Sequence, residues 1–155
     1  MSLMVTISDQ PTLLQWAGER TTGIAAPWEW SSDSKAMGVV ERETGRIVAV
    51  VVVNAFGPDS CEAHICSDGR RKWATYGVLR AIFHYIFLVL GVRRVVASAP
   101  TSNTQALKVR DQMGFSREGV LRLTPDGSEM ASIGQMFNTE CKYIADLMEV
   151  SNGKA

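Results

Sequence analysis

The sequence predicts a mixed α/β (α+β) fold, a central sheet with strands in both directions and helices packed on it. Three observations carry this. Ile47 to Val53 (IVAVVVV) is continuously apolar and mostly β-branched, the pattern of a strand buried on both faces in mid-sheet. Trp73 to Leu90 is a long helix candidate, apolar almost all round, with Gly77, Arg80 and His84 as its one polar stripe, so it packs flat against a sheet. Two strand–helix–strand passages fill the second half of the chain, and such passages require part of the sheet to be parallel.

The elements follow in order. Residues 11–22 predict a first helix that buries Leu13, Leu14 and Trp16, with Gly23 ending it. Residues 24–34 read as a loop holding Trp28 and Trp30. Ala36 to Arg42 is a strand, and Glu43-Thr44-Gly45-Arg46 turns the chain into the 47–53 strand. After the turn Gly57-Pro58-Asp59-Ser60, a short strand from Cys61 to Cys66 puts Glu62 and His64 on one face and Ala63 and Ile65 on the other. The polar loop 67–72 leads into the long helix, which Gly91 closes. Arg93 to Ala99 is a strand. The helix after it starts at Ser102, with Gln105 completing a capping box, runs to Met113 and closes at Gly114. Arg117 to Leu123 and Met130 to Met136 form a final hairpin, and Asn138 to Met148 predicts a terminal helix.

The 155 residues suit one domain spanning 1–155 with a single substantial core. The opening Met1-Ser2-Leu3 reads as a vector-derived addition before a start at Met4. Cys61, Cys66 and Cys141 are odd in number and form no C-x-x-C pair, which points away from a disulfide framework or a zinc site and towards a reducing cytoplasm. The longest apolar stretch, Ala81 to Val92, is too short to span a bilayer. Net charge is zero, but it is unevenly distributed. Residues 69–122 hold ten Lys/Arg against two Asp/Glu, a net +8, between flanks of −5 and −3. A basic centre in an acidic frame suits a localised anionic partner rather than a nucleic acid or a membrane.

That charge converges on one point. Arg70, Arg71 and Lys72 sit where a strand hands over to the long helix, and a helix N-terminus offers unpaired N–H groups and positive dipole to a phosphate. Neither G-x-x-x-x-G-K-[ST] nor G-x-G-x-x-G occurs, so the nucleotide-binding motifs of the P-loop and dinucleotide type are absent.

Asn103 and Ala106 precede Gly114-Phe115-Ser116-Arg117-Glu118-Gly119-Val120-Leu121-Arg122. This arrangement resembles the N-x-x-A/S, short helix, G-F-x-x-E-G-x-x-R pattern of the GNAT superfamily of acyl-CoA-dependent N-acetyltransferases. The branch it resembles holds the ribosomal-protein N-terminal acetyltransferases and small phage-carried relatives, and Met136 to Tyr143 is similar to that branch as well. The resemblance spans about residues 36–137. It implies a central mixed sheet, with the long helix after the fourth strand and a C-terminal hairpin.

It also implies acetyl-CoA as cosubstrate and a primary amine, a protein N-terminus or a small molecule, as acceptor. The family's cofactor loop, [QR]-x-x-G-x-[GA], aligns with Arg70, Arg71, Lys72, Trp73, Ala74 and Thr75, so both small-residue positions are filled here. Glu62 and His64 become the candidates for the base that deprotonates the acceptor, the N–H groups near Ile65 and Cys66 for polarising the thioester carbonyl, and Asn103 for contacting the pantetheine arm. The tyrosine that serves relatives as acid is missing, since residues 131–134 read Ala-Ser-Ile-Gly. A non-catalytic acyl-CoA-binding module and a structural protein that keeps the fold are the alternatives. Monomer and homodimer both stay open.

Overall fold

The computed structural model describes residues 2–20, 30–69 and 71–151. Seven strands form one sheet in the order β1-β2-β3-β4-β5-β7-β6. These are β1 Leu3–Thr6, β2 Lys35–Glu41, β3 Ile47–Asn54, β4 Ser60–Ser67, β5 Arg94–Pro100, β6 Ser116–Arg122 and β7 Met130–Phe137. The helices are α1 Gln10–Glu19, α2 Tyr76–His84, α3 Thr104–Met113 and α4 Ala145–Ser151. Only β4 and β5 pair in parallel; every other neighbouring pair is antiparallel.

β3 is buried from Val48 to Asn54, as its apolar run predicts. Val51 and Val53 pack towards α2, in a core with Ile82, Phe83, Val95 and Met136. Val50 and Val52 pack the other way, in a smaller core with Leu13 and Ala17 of α1. The sheet is thus covered on both faces, and the period-two alternation of each strand assigns its side chains to one or the other. All three cysteines are buried and none is in a disulfide, two in the first core and Cys66 in the second. Burial pushes the Cys61 thiol up to about 12.

Several boundaries differ from expectation. Leu3, set aside as vector-derived, opens a four-residue strand that pairs with β2 from Leu3↔Glu41 to Thr6↔Gly38. A strand this short shows no periodicity to read. The first helix begins at Gln10, capped by Asp9, and ends at Glu19; Gly23 lies outside the described residues. Gln10 also clamps the helix to the sheet, its amide bonding both the C=O and the N–H of Ala36 at 2.8 Å.

The long helix starts at Tyr76 rather than Trp73. A separate 3-10 turn, Arg71–Trp73, turns the Trp73 ring into the core, and Thr75 then caps α2. The helix widens into a π-turn over Tyr85–Val89 before Gly91. Asn103, not Ser102, caps α3, its Oδ1 accepting the Ala106 N–H at 3.1 Å. The expected terminal helix is broken. A 3-10 turn, Asn138–Glu140, precedes a second turn closed by the Ile144 N–H on Cys141 O at 3.4 Å, whose Cys141, Tyr143 and Ile144 fill the core, and α4 follows. Tyr143 stacks on Phe83, and Arg80 donates to the Tyr143 carbonyl at 2.8 Å and grips Asp146 with both terminal nitrogens, so α2 carries this segment.

Candidate active site

The site arises where two parallel strands part. β4 and β5 pair only over Ser60↔Arg94, Cys61↔Val95 and Glu62↔Val96. β4 then runs on to Ser67 beside β3, while β5 runs on to Pro100 beside β7. Their carboxyl ends therefore splay, and a crevice at the carboxyl ends of parallel strands is where such sheets place ligands.

Backbone polarity follows from the register. Asp68 N–H donates to Val48 O at 3.0 Å, so the alternation of an antiparallel ladder turns the N–H and C=O groups of residues 66, 64 and 62 towards β3. Those of Ile65 and Ser67 face the split. Of the two candidate carbonyl-polarising groups, the Ile65 N–H looks into the split, and the Cys66 N–H is spent on β3.

Side chains on the two faces of β4 differ in kind. On the α2 face, Ala63 and Ile65 line a narrow, wholly apolar crevice with Leu79, Phe83, Met113 and Phe115. The N-terminus of α2 lies at the same end of the sheet, since β4 leads into it through the basic loop. Thr75 Oγ1 accepts the Val78 N–H and Thr75 O the Leu79 N–H, which leaves the N–H groups of Tyr76 and Gly77 ahead of the first intrahelical bond. Lys72 is exposed beside them, Ala74 is half-buried and Thr75 exposed. Arg70 lies outside the described residues, and only the backbone of Arg71 is described. Trp73, with its ring inside, presents only backbone to the loop.

On the α1 face, Glu62 is exposed and His64 half-buried. His64 Nε2 lies 3.0 Å from Asn54 Oδ1, and the Trp30 ring packs against the imidazole with centroids 5.5 Å apart. Burial holds His64 below the ordinary histidine value, with Glu62 pulling weakly the other way, so the ring is neutral at pH 7. Trp30 is anchored by donating to Leu14 O at 2.8 Å; Trp28 lies outside the described residues. Asn54 is buried, and the sequence reading passed over it. A lone polar residue ending an apolar strand was the available signal. Directly after it Ala55 holds φ 51°, a left-handed conformation that costs a residue with a Cβ about 1–2 kcal/mol.

Across the split, Asn103 commits its Oδ1 to the α3 cap. The 131–134 stretch holds a different device. Arg110 is 2% exposed and donates to the carbonyls of Ala97 and Ser132 at 3.2 and 2.8 Å. It lies directly against Gly134, where a Cβ would come within 2.8 Å of its Nε. Asp111 joins Arg110 to Arg117, and the Arg117 guanidinium foremost holds its carboxyl below the usual range. Among the described residues no group of His, Cys, Asp and Glu is placed to hold a metal.

No protein-family model matches the chain, and no curated protein matches it by sequence. Solved structures do match it by shape. A point variant of the spermidine N-acetyltransferase SpeG from Vibrio cholerae aligns with a TM-score of 0.73 over 94% of this chain and 98% of its own, at 13% identity. The ribosomal-protein-S18-alanine N-acetyltransferase from Escherichia coli aligns at 0.66 over 88% and 94%, at 16% identity. A GNAT-family acetyltransferase from Bacillus anthracis aligns at 0.58 over 68% and 67%, at 18% identity. The chain has the fold of the GNAT N-acetyltransferases.

Proposed function

We propose that this chain is an acetyl-CoA-dependent N-acetyltransferase in which a primary amine attacks the thioester directly. The β4/β5 split is the observation that carries the reading. It opens beside a small apolar cavity of about 10 Å³, next to an unpaired helix N-terminus for the pyrophosphate, and it gives onto a face with Glu62 and His64. Pantetheine would enter from the α2 face, with Arg70, Arg71, Lys72 and the Tyr76 and Gly77 N–H groups holding phosphate. The acceptor would arrive from the α1 face, where Glu62 or His64 takes its proton, and the Ile65 N–H would polarise the carbonyl.

A non-catalytic acyl-CoA-binding module is the second reading, favoured by one observation: the 131–134 position where relatives carry a tyrosine is occupied by Gly134 packed on Arg110. Incubation with acetyl-CoA and an amine panel, followed by detection of free thiol, separates the two. Spermidine and a peptide with N-terminal alanine belong in the panel, because similar structures are named for those acceptors. Thiol release with any amine supports the enzyme; CoA binding without release supports the module. Three cysteines without a disulfide suit a reducing compartment such as the cytoplasm.

A further inference from the structure

We propose that a polarised chain of hydrogen bonds from Asp33 through Ser31, Ser34 and Asn54 fixes the tautomer of His64, keeping its proton on Nε2 and leaving Nδ1 as the nitrogen that takes the acceptor's proton. The second half of this rests on the acetyl-transfer reading; the first does not.

Each link dictates the direction of the next. The Asp33 carboxylate only accepts, and Ser31 Oγ donates to its Oδ1 at 2.6 Å. With its proton so committed, Ser31 must accept in its 3.1 Å contact with Ser34 Oγ, so Ser34 donates. Ser34 is then the acceptor for Asn54 Nδ2 at 3.2 Å. That places the amide oxygen of Asn54 against His64 Nε2 at 3.0 Å, and an amide oxygen cannot donate. Nε2 must carry the hydrogen, and a neutral imidazole has only one.

The anchor is itself held. Asp33 Oδ2 accepts the Phe56 N–H at 3.2 Å, and the Ser31 hydroxyl foremost lowers the carboxyl's proton affinity, so the end of the chain stays ionised. Asn54 is 8% exposed, which shields the amide from competing water. Trp30 fixes the plane of the ring. Among the described residues, the ionisable groups near His64 in the fold are Glu62 and the buried Cys66 thiol on its own strand, and Asp33 in the 30–34 segment. The adjoining part of β3 contributes Val52 and Asn54, and the α1 core Leu13 and Ala17.

In the reaction, an N–H bond of the acceptor ammonium breaks with its electron pair left on the amine, and an Nδ1–H bond forms. The amine displaces CoA thiolate from the thioester, the thiolate takes the second amine proton, and the imidazolium returns its own proton to solvent. Asn54 touches no substrate and is a positioning residue.

The test is a long-range proton–nitrogen correlation spectrum of the full chain carrying isotope-labelled histidine at neutral pH, with His64→Gln separating His64 from His84. The parent should give the Nε2–H tautomer at His64, and Asn54→Leu a mixture of both. An Nδ1–H tautomer in the parent, or an unchanged spectrum in Asn54→Leu, overturns the assignment. Should Asn54→Leu not fold, Ser34→Ala releases the Asn54 amide without touching His64; a mixed spectrum there supports the chain and an unchanged one overturns it. Asn54→Asp sets a carboxylate against Nε2–H and should raise the acid limb of the kcat/KM profile by about one pH unit. An unmoved limb in an active enzyme overturns the role of Nδ1. A parent with the Nε2–H tautomer that acetylates nothing sinks the acetyl-transfer reading and the Nδ1 role, and leaves the tautomer assignment standing.

Discussion

His64 ties the site to the stability of the fold. Its burial keeps the folded ring from protonating until the pH lies below its ordinary value of 6.5. As pH falls through 6.5 the unfolded chain takes up a proton that the folded chain refuses, so stability declines from there down to the folded value and levels off beneath it. Denaturant midpoints measured across this window should fall in the parent, and His64→Gln should flatten that segment. The same replacement tests chemistry. If His64 is the base, His64→Gln should lower turnover by at least tenfold at neutral pH, since a general base usually contributes about 10²–10⁴. Glu62→Gln should do so if the exposed carboxylate is the base instead. Raising the pH should partly rescue whichever variant lost it, because more of the amine then arrives unprotonated. Parent-like turnover in both variants would place proton removal in solvent.

Among the elements, β7 is constrained by a buried side chain laid against it. Gly134 leaves room for the Arg110 guanidinium, whose hydrogen bonds run to β5 and β7. Gly134→Ala should destabilise by about 1–3 kcal/mol, as overpacking a close-packed site does. The expected sign is a lower denaturant midpoint at unchanged slope, and an unchanged midpoint would mean that Arg110 swings clear. Sequence patterns made much of this architecture legible. The β-branched run of β3, the alternation in β4 and the Gly114 close (φ 105°) each follow from a local rule. What escaped depends on partners far along the chain. β1 is a strand only because β2 lies beside it. Trp73 leaves the helix because the core takes its ring, and residues 141–144 turn rather than continue a helix because their side chains cover α2. In the site, Glu62 and His64 could be read as sharing a face from period two alone, whereas Asn54 and Trp30 reach His64, and Ser34 reaches Asn54, only through register and loop placement.

At the scale of the whole molecule, the proposed function makes the sheet a partition, with CoA approaching from the α2 face and the acceptor from the α1 face. CoA that binds only the folded chain should stabilise it by about 2.7 kcal/mol at a hundredfold excess over Kd. For a chain of this size that raises Tm by roughly 5–11 °C. No shift at millimolar CoA would sink both the enzyme and the binding-module readings. Replacing Arg70, Arg71 and Lys72 together with Ala should weaken CoA binding in titration while moving stability by no more than about 0.5 kcal/mol. Unchanged affinity would put the phosphate elsewhere. The burial of Cys61, Cys66 and Cys141, at 1%, 6% and 1% exposure, has a practical consequence. Thiolates, not thiols, react with chromogenic disulfides and alkylating agents, and a thiol packed in the core does not admit them. The native chain should therefore stay dark in a coupled assay, so that colour appearing at steady state counts product thiol alone. Three equivalents per chain should appear only once the protein is denatured, and the rate at which they do so makes alkylation a clock for global opening.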